Sequence, residues 1–344
     1  MNTIKIITPG MLATVQDDGR IGHQGEGFLN SGVMDIFSYQ IGNALVGNKS
    51  TDKPASIEFG VTGGKVKFSS STIVAITGAR VNAKLNDARV SQDIPILVNE
   101  NDVLDFTQII EGRFVYLSVA GGIQVPKVMG SHATTLAVNL GGFNGKRLKS
   151  GDVLNILDAS QAFNYNTVKL LPKMPLNLIS LIKTKKIRIV PGPEYDWFSE
   201  DEWQKLLNKP FHLGKHIDRM GYRIEGPMII FKPENLLSEA NMNGAIQISR
   251  DGQPIVLLAD RATHGGYPVI AKVIISDLGT LAQWPQHKPI HFEKVSLNDA
   301  WLASAERAEV VQGIYKSKPW EILLHTRTMA NKIKRFFRKD TKEC

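Results

Sequence analysis

At 344 residues the chain is longer than one typical domain, so two domains are expected, and 42% hydrophobic residues suit a soluble protein with a buried core. The net charge of +8 invites a nucleic-acid reading, but from Lys316 to Cys344 nine Lys/Arg stand against three Asp/Glu. The body is therefore near neutral, which excludes a general basic face for phosphate backbones. The lone cysteine, Cys344, excludes an intramolecular disulfide and a cysteine-based zinc site, and it suits a reducing cytoplasm. The opening MNTIKIITPG runs straight into a strand without a signal core, and no window of about 18 apolar residues predicts a spanning helix.

In chain order, a helix is expected over Asp35–Val46, capped by Asp35 and ended by Gly47-Asn48. Short runs rich in β-branched and aromatic residues follow at Lys65–Phe68, Ile73–Thr77, Ile94–Val98 and Arg113–Val119. Turn residues separate them, as in a sandwich or barrel rather than a parallel βαβ sheet. Gly151–Leu157 reads as the last strand of an N-terminal domain, 1–158. Residues 159–186, with prolines, amides and a Lys-Thr-Lys-Lys cluster, read as a linker. A second β-rich domain is expected over 187–311, with a short helix at Asp196–Leu207. Its strands are predicted at Met228–Phe231, Ala245–Ile248, Pro254–Ala259 and Val269–Ile275, and a closing helix at Asn298–Val311. The remaining 312–344 form a basic tail. Between Trp320 and Lys339 the tail has an amphipathic pattern suited to an anionic membrane or a partner, and equally to a solvated terminus.

Several familiar chemistries are missing. Leu140–Arg147 resembles a phosphate loop but lacks its first glycine and its magnesium-binding hydroxyl, so it reads as a tight turn. His212 and His216 lack a third ligand nearby, and no HExxH or G-x-S-x-G occurs. The positive signals are three glycine-rich stretches. In the first, Thr14–His23, Gln16 and Arg20 offer donors to a carboxylate or carbonyl; alternatively, Asp17 pairs with Arg20 in a structural turn. In the second, Asp218–Pro227, Arg219, Tyr222 and Arg223 around Gly221 make an anion clamp, unless Arg223 merely pairs with Glu225. In the third, Ser238–Gln283, polar side chains including Gln247, Asp260, Arg261, Thr263 and Tyr267 surround Gly265-Gly266.

These stretches together resemble the biotin-dependent carboxyltransferase subdomain A/B family. The resemblance rests on TVQDDGRIG at 14–22, SGVMD at 31–35, YLSVAGGIQVPKVMGS at 116–131, GGFNGKRLKSGD at 141–152, PGPEYDWF at 191–198, DRMGYRIEGP at 218–227 and the Ser238–Gln283 segment. The chain departs from the family's usual pattern at Asp218, Ser249, Arg250, Arg261, His264 and His132. The resemblance implies a mainly β protein of two cyclophilin-like β-barrel domains with a few short helices. It further implies the C subunit of an ATP-dependent 5-oxoprolinase, working in the cytoplasm with a B-type partner and with the A-type component on a small-molecule substrate. Two alternatives come with it: a carboxyltransferase component of a biotin-dependent urea-type carboxylase, and a non-catalytic KipA-type regulator. No biotinylation motif occurs in this chain, so biotin would arrive on another.

The resemblance supplies no catalytic residue to carry over. The chemistry of lactam opening needs a carboxylate anchor, donors for developing charge and an acceptor for the ring N–H. On that ground Asp260, Arg261 and Thr263 are the expected catalytic residues. Gln16, Arg20, Arg219, Tyr222, Arg223, Gln247 and Tyr267 are expected to bind substrate, ATP being shared with or held by the partner. No metal is expected.

Overall fold

A computed structural model of the chain describes residues 2–157, 186–232 and 237–317. The N-terminal half closes two antiparallel sheets over one core. One sheet has seven strands, ordered Ile123–Gln124, Val153–Ile156, Thr3–Thr8, Lys65–Phe68, Val103–Asp105, Lys84–Leu85 and Ala88–Arg89. The other has five, ordered Leu12–Gln16, Ser56–Gly60, Ile109–Val119, Thr72–Val81 and Pro95–Val98. Alternation along the strands drives this closure: Ile4 and Ile6, and Val66 and Phe68, point inward from one sheet toward Ile57, Phe59, Val115 and Leu117 of the other. The C-terminal half is a second seven-stranded sheet, ordered His212–Ile217, Gly221–Glu225, Pro254–Leu257, Ala245–Ile248, Val269–Val273, Ile187–Pro191 and Phe292–Lys294, whose last pair alone is parallel. The mainly β, cyclophilin-like architecture expected from the sequence is the one observed.

Helix α1 spans Ile36–Leu45, and its Asp35 cap accepts from the Ser38 N–H at 3.1 Å. The same buried carboxylate accepts from the Ser38 hydroxyl at 2.6 Å and from Gln283 at 3.1 Å. Replacing it by alanine removes the cap, the partner of the buried Ser38 hydroxyl and one of the two acceptors of the Gln283 amide. Asp35→Ala is therefore expected to cost about 1–2 kcal/mol in a urea titration.

Helix α2 covers Glu200–Asn208 after a short 3-10 turn at Tyr195–Trp197, close to the expected position. The predicted strand at Met228–Phe231 does not form. Its donors are diverted: the Ile229 N–H reaches the Gly252 carbonyl and the Ile230 N–H reaches the Glu202 carboxylate of α2. The run Val269–Ile275 stops as a strand at Val273, and helix α3 occupies Ile275–Ala282, where only a strand end was expected. Its apolar residues satisfy a strand or a buried helix equally well. The loop at 140–147 is a turn, as read from the sequence. Gly141, Asn144 and Gly145 all have positive φ, and a Cβ on Gly145 would lie 2.0 Å from the Asn139 carbonyl.

Helix α4 runs from Leu297 to Ser317, past the expected end at Val311. Val311 and Ile314 pack on Phe37, Ile41 and Leu45 of α1, Tyr315 hydrogen-bonds the Asn48 carbonyl, and the Arg307 guanidinium lies 4.8 Å from the Phe37 ring. The last helix thus straps the second half to the first. The core does the same, since Met34, Tyr39, Phe114 and Tyr116 are buried in the C-terminal cluster. The linker and the amphipathic tail segment lie outside the described residues, Lys186 and Lys316–Ser317 excepted. No described helix is long and apolar enough to cross a membrane.

Candidate functional site

The residues expected to bind substrate are separated by the fold. Gln16 is fully buried inside the N-terminal half, donating to the Thr14 hydroxyl and the Thr134 carbonyl at 3.1 Å. Arg20 is equally buried and forms neither an anion clamp nor an ion pair with Asp17. It donates to the Ala133 carbonyl at 2.9 Å, the Val128 carbonyl at 3.1 Å and the Thr135 hydroxyl at 3.0 Å, stapling one loop to another. Asp17 instead ties Gly19, Ser131 and His132 together. Tyr222 is buried with its hydroxyl on the Ala282 carbonyl at 2.9 Å. Arg223 pairs with Asp251 at the surface rather than with Glu225. Tyr267 is 38% exposed and lies off the lining of the cleft described below. His212 and His216 are exposed on a strand, and no group of three or more candidate metal ligands occurs among the described residues.

Arg219 and Asp260 do come together, but with each other. The Arg219 guanidinium grips Asp260 with two bonds, at 2.8 and 3.0 Å, and pairs with Glu58 of the N-terminal half. A further N–H donates to the Gly32 carbonyl at 2.6 Å, and Glu58 accepts from the Tyr116 hydroxyl at 2.8 Å and the Met34 N–H at 2.8 Å. Burial opposes the charge on Arg219, yet the two carboxylates hold its pKa above the ordinary arginine value. Burial raises the pKa of Glu58, with Arg219 pulling the other way. This buried triad is an interdomain lock whose charges are spent on one another rather than offered to a substrate.

The lock positions the next residue. With the Asp260 N–H on the Arg219 carbonyl at 2.8 Å, the turn after strand Pro254–Leu257 is pinned, and Arg261 faces the opposite way. It enters an open cleft of about 370 Å³ where the two halves meet, lined by Gln24 and Gly25 on one side and by Asn241, Asn243, Arg261, His264 and Lys272 on the other. The Arg261 Nε donates to the Asn241 carbonyl at 3.1 Å and a terminal N–H to the Gln24 side-chain oxygen at 3.3 Å. Thr263 contributes its carbonyl, which accepts from Gln24 at 2.9 Å, while its hydroxyl lies 3.0 Å from the His264 ring. Gln247 stands behind the cleft, holding the Asn241 side chain at 3.0 Å. Gly265 leaves room for this pairing, because a Cβ there would lie 2.6 Å from the Asn241 side-chain oxygen and 2.7 Å from the Gln247 amide nitrogen, displacing both.

The cleft is electropositive. Burial lowers the pKa of Arg261, and burial followed by the nearby Arg261 charge lowers that of Lys272. Neither cation forms an ion pair among the described residues, since Asp260, the acid beside Arg261 in sequence, is taken by Arg219. The Asn243 side-chain oxygen is buried without a hydrogen-bond partner. Two unneutralised cations suit a small anion. Of the residues expected to be catalytic, Arg261 lines this cleft by its side chain, Thr263 borders it by its carbonyl, and Asp260 supports it from behind. Gln24, Asn243 and Lys272 were not singled out from the sequence. A lysine inside the apolar run Val-Ile-Ala-Lys-Val was the available signal for the last.

Comparison with known proteins gives a consistent family. The carboxyltransferase domain model for subdomains A and B matches residues 26–294. The chain is 36% identical over 321 residues to the 5-oxoprolinase C subunit of Escherichia coli strain K12, covering 93% of this chain and 98% of that protein. The corresponding protein of Haemophilus influenzae is 34% identical over 298 residues, covering 86% and 93%. The crystal structure of the Kluyveromyces lactis urea amidolyase superposes with a TM-score of 0.80 at 29% identity, over 91% of this chain but 20% of that one. The chain belongs to the carboxyltransferase domain, subdomain A and B, family.

Proposed function

We propose that this chain is the C subunit of an ATP-dependent 5-oxoprolinase complex, opening 5-oxoproline to glutamate together with a B-type partner in the cytoplasm. The observation that carries this reading is the pair Arg261 and Lys272, two cations facing one cleft with no compensating acid. 5-Oxoproline brings a carboxylate to such a pair, whereas urea is neutral. Near full-length similarity to two proteins named as 5-oxoprolinase C subunits supports the same choice. The cleft lining has no Phe, Tyr or Trp on which a purine could stack, so its residues suit a carboxylate or phosphoryl group rather than a whole nucleotide. ATP is accordingly assigned to the partner or to the shared surface, where it would supply the driving force for opening a stable amide. In this scheme the present chain orients the lactam and neutralises its charge.

The second reading, a carboxyltransferase acting with biotin carried on another chain, is favoured by the structural likeness to the urea amidolyase. Co-purification with the B-type partner followed by an assay for glutamate separates the two. Glutamate formation that requires both ATP and 5-oxoproline supports the oxoprolinase. Urea carboxylation supports the second reading, and a stable complex without turnover makes the chain a regulator.

Lys272 gives the proposal a pH signature. Its charged form persists only below its pKa, which burial and Arg261 hold below the ordinary lysine value. The KM for 5-oxoproline is therefore expected to rise on the alkaline side earlier than for a free lysine. Lys272→Arg should flatten that rise; a profile indifferent to the substitution would remove Lys272 from anion binding.

A further inference from the structure

One contact in the cleft has the form of a bound ligand. The Gln24 carboxamide accepts from the Arg261 guanidinium through its oxygen, at 3.3 Å. Its nitrogen donates to two backbone carbonyls, Asn241 at 2.8 Å and Thr263 at 2.9 Å. Those carbonyls are fixed independently of Gln24. The Asn241 N–H donates to the Thr263 carbonyl at 2.9 Å, the Asn241 side chain donates to the Ala262 carbonyl at 3.0 Å, and Gln247 holds its oxygen at 3.0 Å. A guanidinium donor beside preset carbonyl acceptors is a complete receptor for an amide edge, with C=O on one side and N–H on the other.

The segment that delivers Gln24 is held lightly. Ile21, Gly22, Gly25, Glu26 and Gly27 are exposed, and a Cβ on Gly22, Gly25 or Gly27 would meet nothing within 4 Å. Among the described residues, hydrogen bonds from 21–28 to the C-terminal half all run through Gln24. Few packed contacts around a single polar anchor mark a segment that opens at low free-energy cost.

We propose that the seat of the Gln24 carboxamide is an amide-recognition site occupied in cis, and that a lactam, primary amide or urea takes it by displacing the 21–28 loop. The inference rests on the functional reading above only for the choice of lactam, because the seat is defined by its own donors and acceptors. Gln24 is thus a self-ligand, and its removal lifts a competition rather than deleting a contact. A competitor that closes the site in about nine molecules of ten weakens apparent affinity about tenfold.

The test is a titration of the full-length chain with pyrrolidinone, the five-membered lactam without a carboxylate, followed by ligand-detected NMR. Gln24→Ala is expected to bind it about tenfold more tightly than the unsubstituted chain. N-methylpyrrolidinone, which has no N–H, should bind neither form well, and Arg261→Ala should abolish binding in both backgrounds. Equal or weaker binding by Gln24→Ala, or equal binding of the N-methylated lactam, overturns the proposal. Hydrogen exchange within 21–28 of the unsubstituted chain provides a readout without a variant: saturation with pyrrolidinone should accelerate it, and unchanged or slower exchange overturns the displacement. A complex that makes no glutamate would sink the oxoprolinase assignment while leaving this seat intact.

Discussion

Arg219→Met is expected to destabilise the protein by about 3–5 kcal/mol, because it strands two carboxylates in the interior. Glu58 and Asp260 are 2% and 8% exposed, too little for water to replace the lost guanidinium. The substitution also removes the bond to the Gly32 carbonyl, so all three anchors of the interdomain lock fail together. Urea titration of the purified chain measures the loss, and adding Glu58→Gln to Arg219→Met should recover part of it by neutralising one orphaned acid. A small loss, or no recovery, would show that this triad does not hold the halves together. Because Asp260 precedes Arg261, the same variant is expected to disorder the cleft even where the fold survives.

Arg261→Ala carries the largest expected effect on function. A charge-assisted hydrogen bond to a substrate contributes about 1.5–3 kcal/mol, which corresponds to a loss of roughly 10–100-fold in kcat/KM for 5-oxoproline. The Arg261 side chain is held by polar partners, the Asn241 carbonyl and the Gln24 side-chain oxygen, so the loss of stability should be smaller than for Arg219→Met. Arg261→Lys should not rescue fully, since one ammonium cannot reach the Asn241 carbonyl and an incoming anion with the same planar fork. An unchanged kcat/KM in the complex would place the reacting centre elsewhere.

The sequence disclosed the architecture more fully than the site, for physical reasons visible in single residues. Lys65–Phe68 and Ala245–Ile248 alternate or run apolar between turn residues, and both strands form where expected. Asp35 announced a helix start because its short carboxylate fits the cap. Ile275–Ala282 failed the same reading, since a short apolar run does not distinguish strand from buried helix. For the site, residue type was a poor guide to role. Gln16, Arg20, Arg219 and Tyr222 have the donors a substrate needs, but the fold spends them on its own carbonyls and carboxylates. Arg261 remained available because its neighbour Asp260 was consumed by Arg219 within the same half, a pairing of residues 41 apart that no local pattern reveals. Gln24 was invisible for the converse reason: its chemistry lies in two backbone carbonyls contributed by a distant loop.

The most direct test of the account compares 5-oxoproline with pyrrolidinone as ligands of the proposed complex between this chain and a B-type partner. The two share the lactam and differ by the carboxylate that Arg261 and Lys272 are assigned to hold. The account predicts at least about tenfold tighter binding of 5-oxoproline, the equivalent of one good charge-assisted contact, with most of that advantage lost in Lys272→Met. Equal affinity for the two ligands, or an advantage that survives Lys272→Met intact, would contradict it.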